Sequence, residues 1–246
     1  MRYLIISDIH SNMTALETAL AAAKGKWEKA VCLGDLVGYG PDPNEVIDCI
    51  RSLGAIAIRG NHDKAVAGTD AVEDFNPIAR AAALWTRQQL RPENLQFLQK
   101  LAKGPRMVDG FCIAHGSVHD EDEYVYAPEI AADALKGSTA AVTFFGHTHL
   151  QGGFSLQDDR VQVLRPPGAG RESSIVAIER GTTYLFNPGS IGQPRDGNTR
   201  AGFAIADLEN GTVEFWRVPY DIEGVQKRMT EANLPEPLIL RLSFGR

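Results

Sequence analysis

The sequence predicts one α/β domain of mixed strands, with two packed β-sheets covered by helices. Apolar runs of strand length alternate with helical stretches through the first third, which implies parallel strands joined by right-handed crossovers. The pattern then changes to many short strands with turn signals, which adds antiparallel pairs. With 246 residues, 43% hydrophobic and 23% charged, the chain can bury one sizeable core.

Each element follows from local signals. Tyr3–Ser7 is a short apolar run suited to a buried strand, and Asn12–Lys24 has apolar and alanine positions at helical spacing. Ala30–Leu33 predicts a second strand. Asp42-Pro43 then reads as an N-cap with proline at the first helical position, and Gly54 closes that helix. Ala55–Arg59 is the third strand. Asn76-Pro77 opens a helix to about Leu90, and Pro92 opens another to about Ala102. Met107–Val108 and Phe111–Ala114 flank Asp109-Gly110, a hairpin turn. Short strands are expected near Val142–Phe145, Gly153–Leu156, Val161–Leu164, Ser174–Glu179, Thr183–Phe186, Phe203–Asp207 and Thr212–Val218, with Asn210-Gly211 as a second hairpin signal. Arg165–Ser173, which contains PPGAG, is expected to be a loop within the domain. No internal repeat or low-complexity tract breaks up residues 1–246, so a single domain is expected, with a helical insertion at about 64–104.

Composition narrows the function. Net charge is −6, which argues against a broad basic face for long nucleic acid. Cys32, Cys49 and Cys112 are far apart and odd in number, as expected of free thiols in a reducing cytoplasm. No apolar stretch reaches membrane-spanning length, and the N-terminal run is too short for a signal peptide, so a cytoplasmic protein is expected.

The polar residues with metal-binding chemistry fall in one kind of place. Asp8 and His10 follow the first strand, Gly34-Asp35 the second and Gly60-Asn61-His62-Asp63 the third. His115 ends FCIAH, and His147 and His149 end VTFFGHTH. Open α/β sheets place their ligands at these strand ends. Five of the six histidines lie in these segments, which points to one shared site. Asp, His and Asn donors suit Mn²⁺, Fe or Zn²⁺, with no thiolate to suggest a structural zinc. Seven candidate ligands are too many for one four-coordinate ion; they suit two ions roughly 3.5–4 Å apart.

In order, DxH, GD, GNHD, a lone H and GHTH resemble the calcineurin-like metallophosphoesterases, over the span from Asp8 to His149. GDLVGYGPDP and NPGSIGQPRDG further resemble a small bacterial and archaeal branch of phosphodiesterases or phosphatases. The resemblance implies a four-layer αββα sandwich, two mixed β-sheets flanked by helices. It also implies a dinuclear phosphoesterase that hydrolyses small-molecule or nucleotide phosphodiesters, with hydroxide held between two divalent metal ions attacking phosphorus in line. Mn²⁺ leads among those ions, with Fe, Zn²⁺ and Ni²⁺ open. Carried over by position, Asp8, His10 and His149 would hold the first metal, and Asn61, His115 and His147 the second, with Asp35 bridging. His62 would protonate the leaving oxygen or stabilise the transition state.

The same resemblance leaves alternatives. A phosphomonoesterase or a dinucleoside polyphosphate hydrolase would use the same site, and some relatives keep the fold as an interaction scaffold. The presence of His62 speaks against the scaffold. Many relatives carry GDxxD, whose last Asp holds the catalytic histidine; here that position is Gly38, so that either Asp63 or Asp42 would orient His62 or its role would be weaker. Arg59 and Arg195 are candidates for substrate phosphate. Asn187-Pro188-Gly189-Ser190 could line the pocket through backbone donors. His119 and Asp120–Glu123 read as a solvated loop. The insertion, with Trp85 on an alanine-rich helix, would cap the site or form a homo-oligomer contact, although such an apolar face is more often core. A small-molecule phosphate ester is the expected partner.

Overall fold

The computed structural model describes residues 1–165, 168 and 170–246. Its layers follow from strand β1 (Arg2–Ile6). Tyr3 and Ile5 point to one face and Leu4 and Ile6 to the other, as the strand period of two requires, and all four are buried. A strand that is apolar on both faces belongs between two layers.

The first sheet runs β3 (Ile56–Ala57), β2 (Lys29–Cys32), β1, β11 (Ala201–Asp207), β12 (Thr212–Val218) and β9 (Ser173–Ala177). Its first three strands are parallel and the rest antiparallel. The second runs β4 (Arg106–Val108), β5 (Phe111–Ile113), β6 (Val142–Phe144), β10 (Thr183–Asn187), β7 (Gly152–Gln157) and β8 (Arg160–Leu164), with β5, β6 and β10 parallel. Tyr3, Ile5 and Phe215 of the first sheet meet Phe111, Phe144 and Phe186 of the second in the inner core. Ring centroids 5.5–6.0 Å apart link Phe111, Phe144, Phe186 and Phe215 across it. Leu4 and Ile6 pack outward on α1 (Met13–Ala23) and α2 (Pro43–Ser52). Phe145, Phe154 and Leu185 pack on α6 (Pro128–Gly137). The four-layer α/β sandwich is the expected one.

Most elements fall where the local signals put them. Asn12 caps α1 by accepting from the Ala15 N–H, and Asn76 caps α4 (Pro77–Gln89) by accepting from Ile78 and Ala79. Asp109 and Gly110 have φ of 43° and 97°, the two left-handed residues of a tight hairpin. The third strand is shorter than expected, because Ile58 leaves it to bridge Ala102 and the Arg59 N–H donates to the Ala102 carbonyl. The local signals mark no helix at α3 (Asn61–Ala67), α6, α7 (Ile222–Glu231) or α8 (Glu236–Arg241), where the structure has one each. Within the expected loop at Arg165–Ser173, residues 166, 167 and 169 lie outside those described, and β9 already begins at Ser173.

The stretch expected as an insertion holds α3, α4 and α5 (Pro92–Gln99). Trp85 on α4 packs with Val225, Met229 and Leu238 of the two C-terminal helices, so this apolar face is core. No helix among the described residues is long and apolar enough to cross a membrane.

Candidate metal centre

Every candidate ligand lies just past the C-terminal end of a parallel strand or in the helix turn that follows it. Asp8 and His10 follow β1, Asp35 follows β2 and Asn61 opens α3 after β3; His115 follows β5, and His147 and His149 follow β6. The chain turns sharply there. Asp8, His10, Asp35, His147 and His149 all have left-handed backbone, with φ from 48° to 64°. Each such non-glycine residue costs roughly 1–2 kcal/mol. Hydrogen bonds between the turns hold them: the Asp8 N–H donates to Gly34 O and the His10 N–H to Asp35 O, both at 3.0 Å. The His147 N–H donates to the Asp8 carboxylate at 3.2 Å.

The imidazoles are oriented from behind. Nδ1 of His10 meets the Val37 carbonyl at 3.1 Å, Nδ1 of His115 the Leu33 carbonyl at 2.8 Å and Nδ1 of His149 the Gln193 carbonyl at 2.6 Å. A carbonyl only accepts, so each of these Nδ1 atoms carries a proton and Nε2 of each ring turns inward; His10 and His149, whose pKa burial lowers, are neutral and present that Nε2 bare. His147 is reversed: its Nε2 meets the Asp122 carbonyl at 3.1 Å, which leaves Nδ1 bare.

Asp35 sits between two sets of donors. Its Oδ1 accepts from the His62 N–H at 2.9 Å, while Oδ2 lies 3.6 Å from His10 Nε2 and 3.5 Å from His115 Nε2. Asp8, His10, Asp35 and His149 form one group, and Asp35, His115 and His147 a second; within each, donor atoms lie within 4.8 Å of one another. Asn61 reaches the second group with Oδ1, 3.3 Å from His115 Nε2. Gly60 permits the approach, since a side chain there would collide with the Asp35 carboxylate. Burial opposes charge on His115, yet the Asp35 and Asp8 carboxylates hold its pKa up at about 9. Burial wins at His147, pushed down to about 3.

His62 is buried beside this cluster, and neither Asp expected to orient it does so. Asp63 spends Oδ1 on the Leu36 and Val37 N–H groups and Oδ2 on Gly60 N–H, which ties α3 to the Asp35 turn. Asp42 pairs with Arg228. His62 Nδ1 has no hydrogen-bond partner among the described residues and faces Gly38, where a Cβ would lie 2.6 Å from it. The ring is held by packing on Tyr39 and Phe75, with centroids at 4.3 and 4.7 Å. Burial pushes its pKa down to about 4.

Other expected residues sit differently. Arg59 forks onto Glu121 with Nε and Nη2 at 3.1 and 2.9 Å, so it anchors the 120–123 loop instead of facing substrate. Asp120 and Asp122 of that loop are exposed as expected, but Glu121 is only 9% exposed, 3.3 Å from Lys64 at 5%, and Lys64 also reaches Asp122 at 2.5 Å. The expectation fails at Glu121 because its cationic partners lie far away in sequence. His119 is exposed as expected, with Nε2 at 3.2 Å from the Asp133 carbonyl on α6. The 187–190 turn does not offer its donors to a pocket. Gly189 N–H is spent on Asn187 Oδ1, and Ser190 Oγ donates to the Asp8 carbonyl at 2.7 Å.

Arg195 is half-buried, with Nη2 at 3.1 Å from Gln193 Oε1 and 3.4 Å from the Tyr39 hydroxyl. Beside the cluster opens a cavity of ≈ 330 Å³, with Asn61 and His147 among its lining and Tyr39, Phe75 and Tyr124 as aromatic walls. No periodic signal in the sequence points to these three aromatics, of which only Tyr39 lies in GDLVGYGPDP.

Comparison with known proteins agrees with this picture. The pattern described as the calcineurin-like phosphoesterase superfamily domain matches residues 1–211. A metallophosphoesterase from Sphaerobacter thermophilus of known structure is 38% identical, with a TM-score of 0.84 over 100% of this chain and 99% of that one. The uncharacterized protein MJ0912 of Methanocaldococcus jannaschii is 35% identical over 98% of this chain and 97% of its own. Phosphodiesterase YfcE of Escherichia coli is 26% identical over 84% of this chain and 88% of its own.

Proposed function

Since the chain belongs to the calcineurin-like phosphoesterase superfamily, we propose that it is a dinuclear metal-dependent phosphodiesterase acting on small-molecule or nucleotide esters. One observation carries the reading. His10 Nε2 and His149 Nε2 face each other at 3.0 Å, although both rings already carry their proton on Nδ1. Two bare lone pairs at that distance repel, and a cation between them turns repulsion into coordination. Beside them the Asp35 and Asn61 oxygens gather about His115 Nε2 as a second set of ligand atoms. The donor set therefore fits metal ions.

Asp8, His10 and His149 would hold one ion and Asn61, His115 and His147 the other, with Asp35 common to both groups. Two divalent ions, Mn²⁺ foremost, would supply Lewis acidity, acidify a water and neutralise the phosphate charge. The chain's own groups do the rest. The carbonyls of Val37, Leu33 and Gln193 fix the imidazoles, so no reorganisation is needed as charge develops. His62 has no acceptor at Nδ1, which favours the proton on Nε2; the ring is neutral, with its pKa pushed down to about 4 by burial, and would offer that N–H as a hydrogen bond to the leaving oxygen. Arg195 stands beside Tyr39 as the cation for a phosphate oxygen. The name of the Escherichia coli relative supports diester over monoester.

Chelator-stripped protein, assayed on bis-p-nitrophenyl phosphate and p-nitrophenyl phosphate with and without Mn²⁺, tests this. Metal-dependent turnover that favours the diester is expected. Preference for the monoester would make it a phosphatase, and failure to bind any metal would end the reading.

A further inference from the structure

The cavity beside the ligand cluster has aromatic walls and no Lys or Arg among its lining residues. On one side Phe75 packs edge-on against His62, with Tyr39 behind it. On the other, Tyr124 stacks over the His147 ring, centroids 3.8 Å apart and planes 30° apart. Asp70, Asp74 and Asp122 stand in the lining. Lys64 pairs with Asp70 and Asp122, whereas Asp74 has no ion pair among the described residues. Arg195 is outside this lining, its guanidinium 5.8 Å from the Tyr39 ring centroid. Positive charge thus lies near the proposed metal centre, and the space beyond has flat apolar faces and carboxylates.

The geometry points to a substrate with a single phosphate whose leaving group carries a flat, uncharged ring: a nucleoside phosphodiester, not a dinucleoside polyphosphate. This rests on the phosphodiesterase reading above. His62 lines the cavity, so the group that leaves is the group the cavity holds. Water adds across one P–O bond, and the departing alcohol takes a proton and remains between Phe75 and Tyr124. Base–aromatic stacking is tolerant of base identity, so the walls select a ring and not a sequence. At ≈ 330 Å³ the space is at the small end of ligand sites, enough for one such group. A further phosphate would meet Asp74, unpaired among the described residues, with no Lys or Arg in the lining and Lys64 already committed to Asp70 and Asp122.

Two substrates isolate the claim: a dinucleoside monophosphate and a dinucleoside tetraphosphate with the same nucleosides. Wild-type kcat/KM should favour the monophosphate by about tenfold or more, and Asp74→Lys should narrow that ratio. Phe75→Ala should raise KM for the monophosphate about five- to tenfold. Phe75→Leu, which keeps bulk without a flat ring, should do the same, and Phe75→Trp should restore KM. Metal content and inhibition by inorganic phosphate, which reaches only the metals, should stay at wild-type values in the Phe75 variants. A readout free of turnover is saturation-transfer NMR of free adenosine with metal-free protein. Its ring protons should receive saturation from wild type and lose most of it with Phe75→Ala.

Preference for the tetraphosphate, or for an ammonium-bearing diester, would overturn the inference. So would a KM indifferent to Phe75→Ala and Phe75→Leu. If neither ester is cleaved with metals bound, the phosphodiesterase reading fails by itself, and the adenosine signal still decides whether the cavity takes a flat ring.

Discussion

On the strand-end side of the site, four imidazoles tie one nitrogen to a backbone carbonyl, and five candidate ligands sit in left-handed backbone. On the cavity side, Phe75 and Tyr124 make ring contacts, and Tyr124 is 47% exposed. His62 stands between them, buried like a ligand but held by packing like the cavity wall. The first side is over-determined: a displaced ligand would break hydrogen bonds in a neighbouring turn. The second tolerates change one residue at a time. Chemistry that needs fixed donor positions belongs to the first, and substrate choice to the second.

The largest effect that would sharpen this contrast is expected at Asp35. Asp35→Ala should lower turnover by on the order of 10³-fold and bring metal content below two per chain, measured by plasma mass spectrometry. Asp35→Asn, which can still accept from the His62 N–H, should keep the fold by circular dichroism and lose the metals just the same. Full activity in either would remove the dinuclear reading.

Next comes Glu121, which links the two sides. Its partners Arg59 and Lys64 fix the loop whose Asp122 carbonyl sets the tautomer of His147. Glu121→Gln should cost about 1–3 kcal/mol, a drop of roughly 2–12 °C in Tm. It should also weaken binding of the second metal about tenfold or more, since outer partners tune ligands on that scale. A loss of stability with unchanged metal titration would make the ion pairs structural only.

How much of this could be read from sequence follows the same divide. The ligands are legible because each is adjacent to an apolar strand, often with a glycine, and strand ends gather without any knowledge of side-chain contacts. Lys64 with Glu121 and Tyr124 with His147 are not, because each pair joins segments whose proximity only the finished fold decides. The carbonyls of Leu33, Val37 and Gln193 carry no side-chain signature at all. Helix α3 carries no N-cap side chain to announce it, since its cap is Gly60; the Asp63 carboxylate closes the start by accepting from the Gly60 N–H. Arg59 departs from expectation for a related reason: an arginine beside GNHD looks free until Glu121, 62 residues on in sequence, is placed against it.

A smaller effect is expected at Gly38, which tests how His62 belongs to both sides. With φ of 89° and a would-be Cβ 2.6 Å from His62 Nδ1, Gly38→Ala must displace the imidazole. Turnover should fall about tenfold, with both metals retained and a stability loss of roughly 1–2 kcal/mol. Gly38→Asp, which restores the residue many relatives carry, should not raise kcat, because the ring occupies the space that carboxylate needs. A gain would mean that His62 can swing out and take an orienting partner.

The smallest effect is expected at Asp42, and its smallness is the point. Its carboxylate accepts from Arg228 at 3.2 and 2.9 Å and from the Met13 N–H at 3.3 Å, joining the start of α2 to α7 and α1. Arg228 is 39% exposed and Asp42 15%, so solvent screens the pair. Asp42→Asn should cost no more than about 1 kcal/mol, shift Tm by a few degrees and leave kcat and metal content unchanged. The same substitution would lower kcat if Asp42 oriented His62. Unchanged kinetics therefore leave His62 with packing as its only support, and a drop in kcat without loss of metal would return Asp42 to the site.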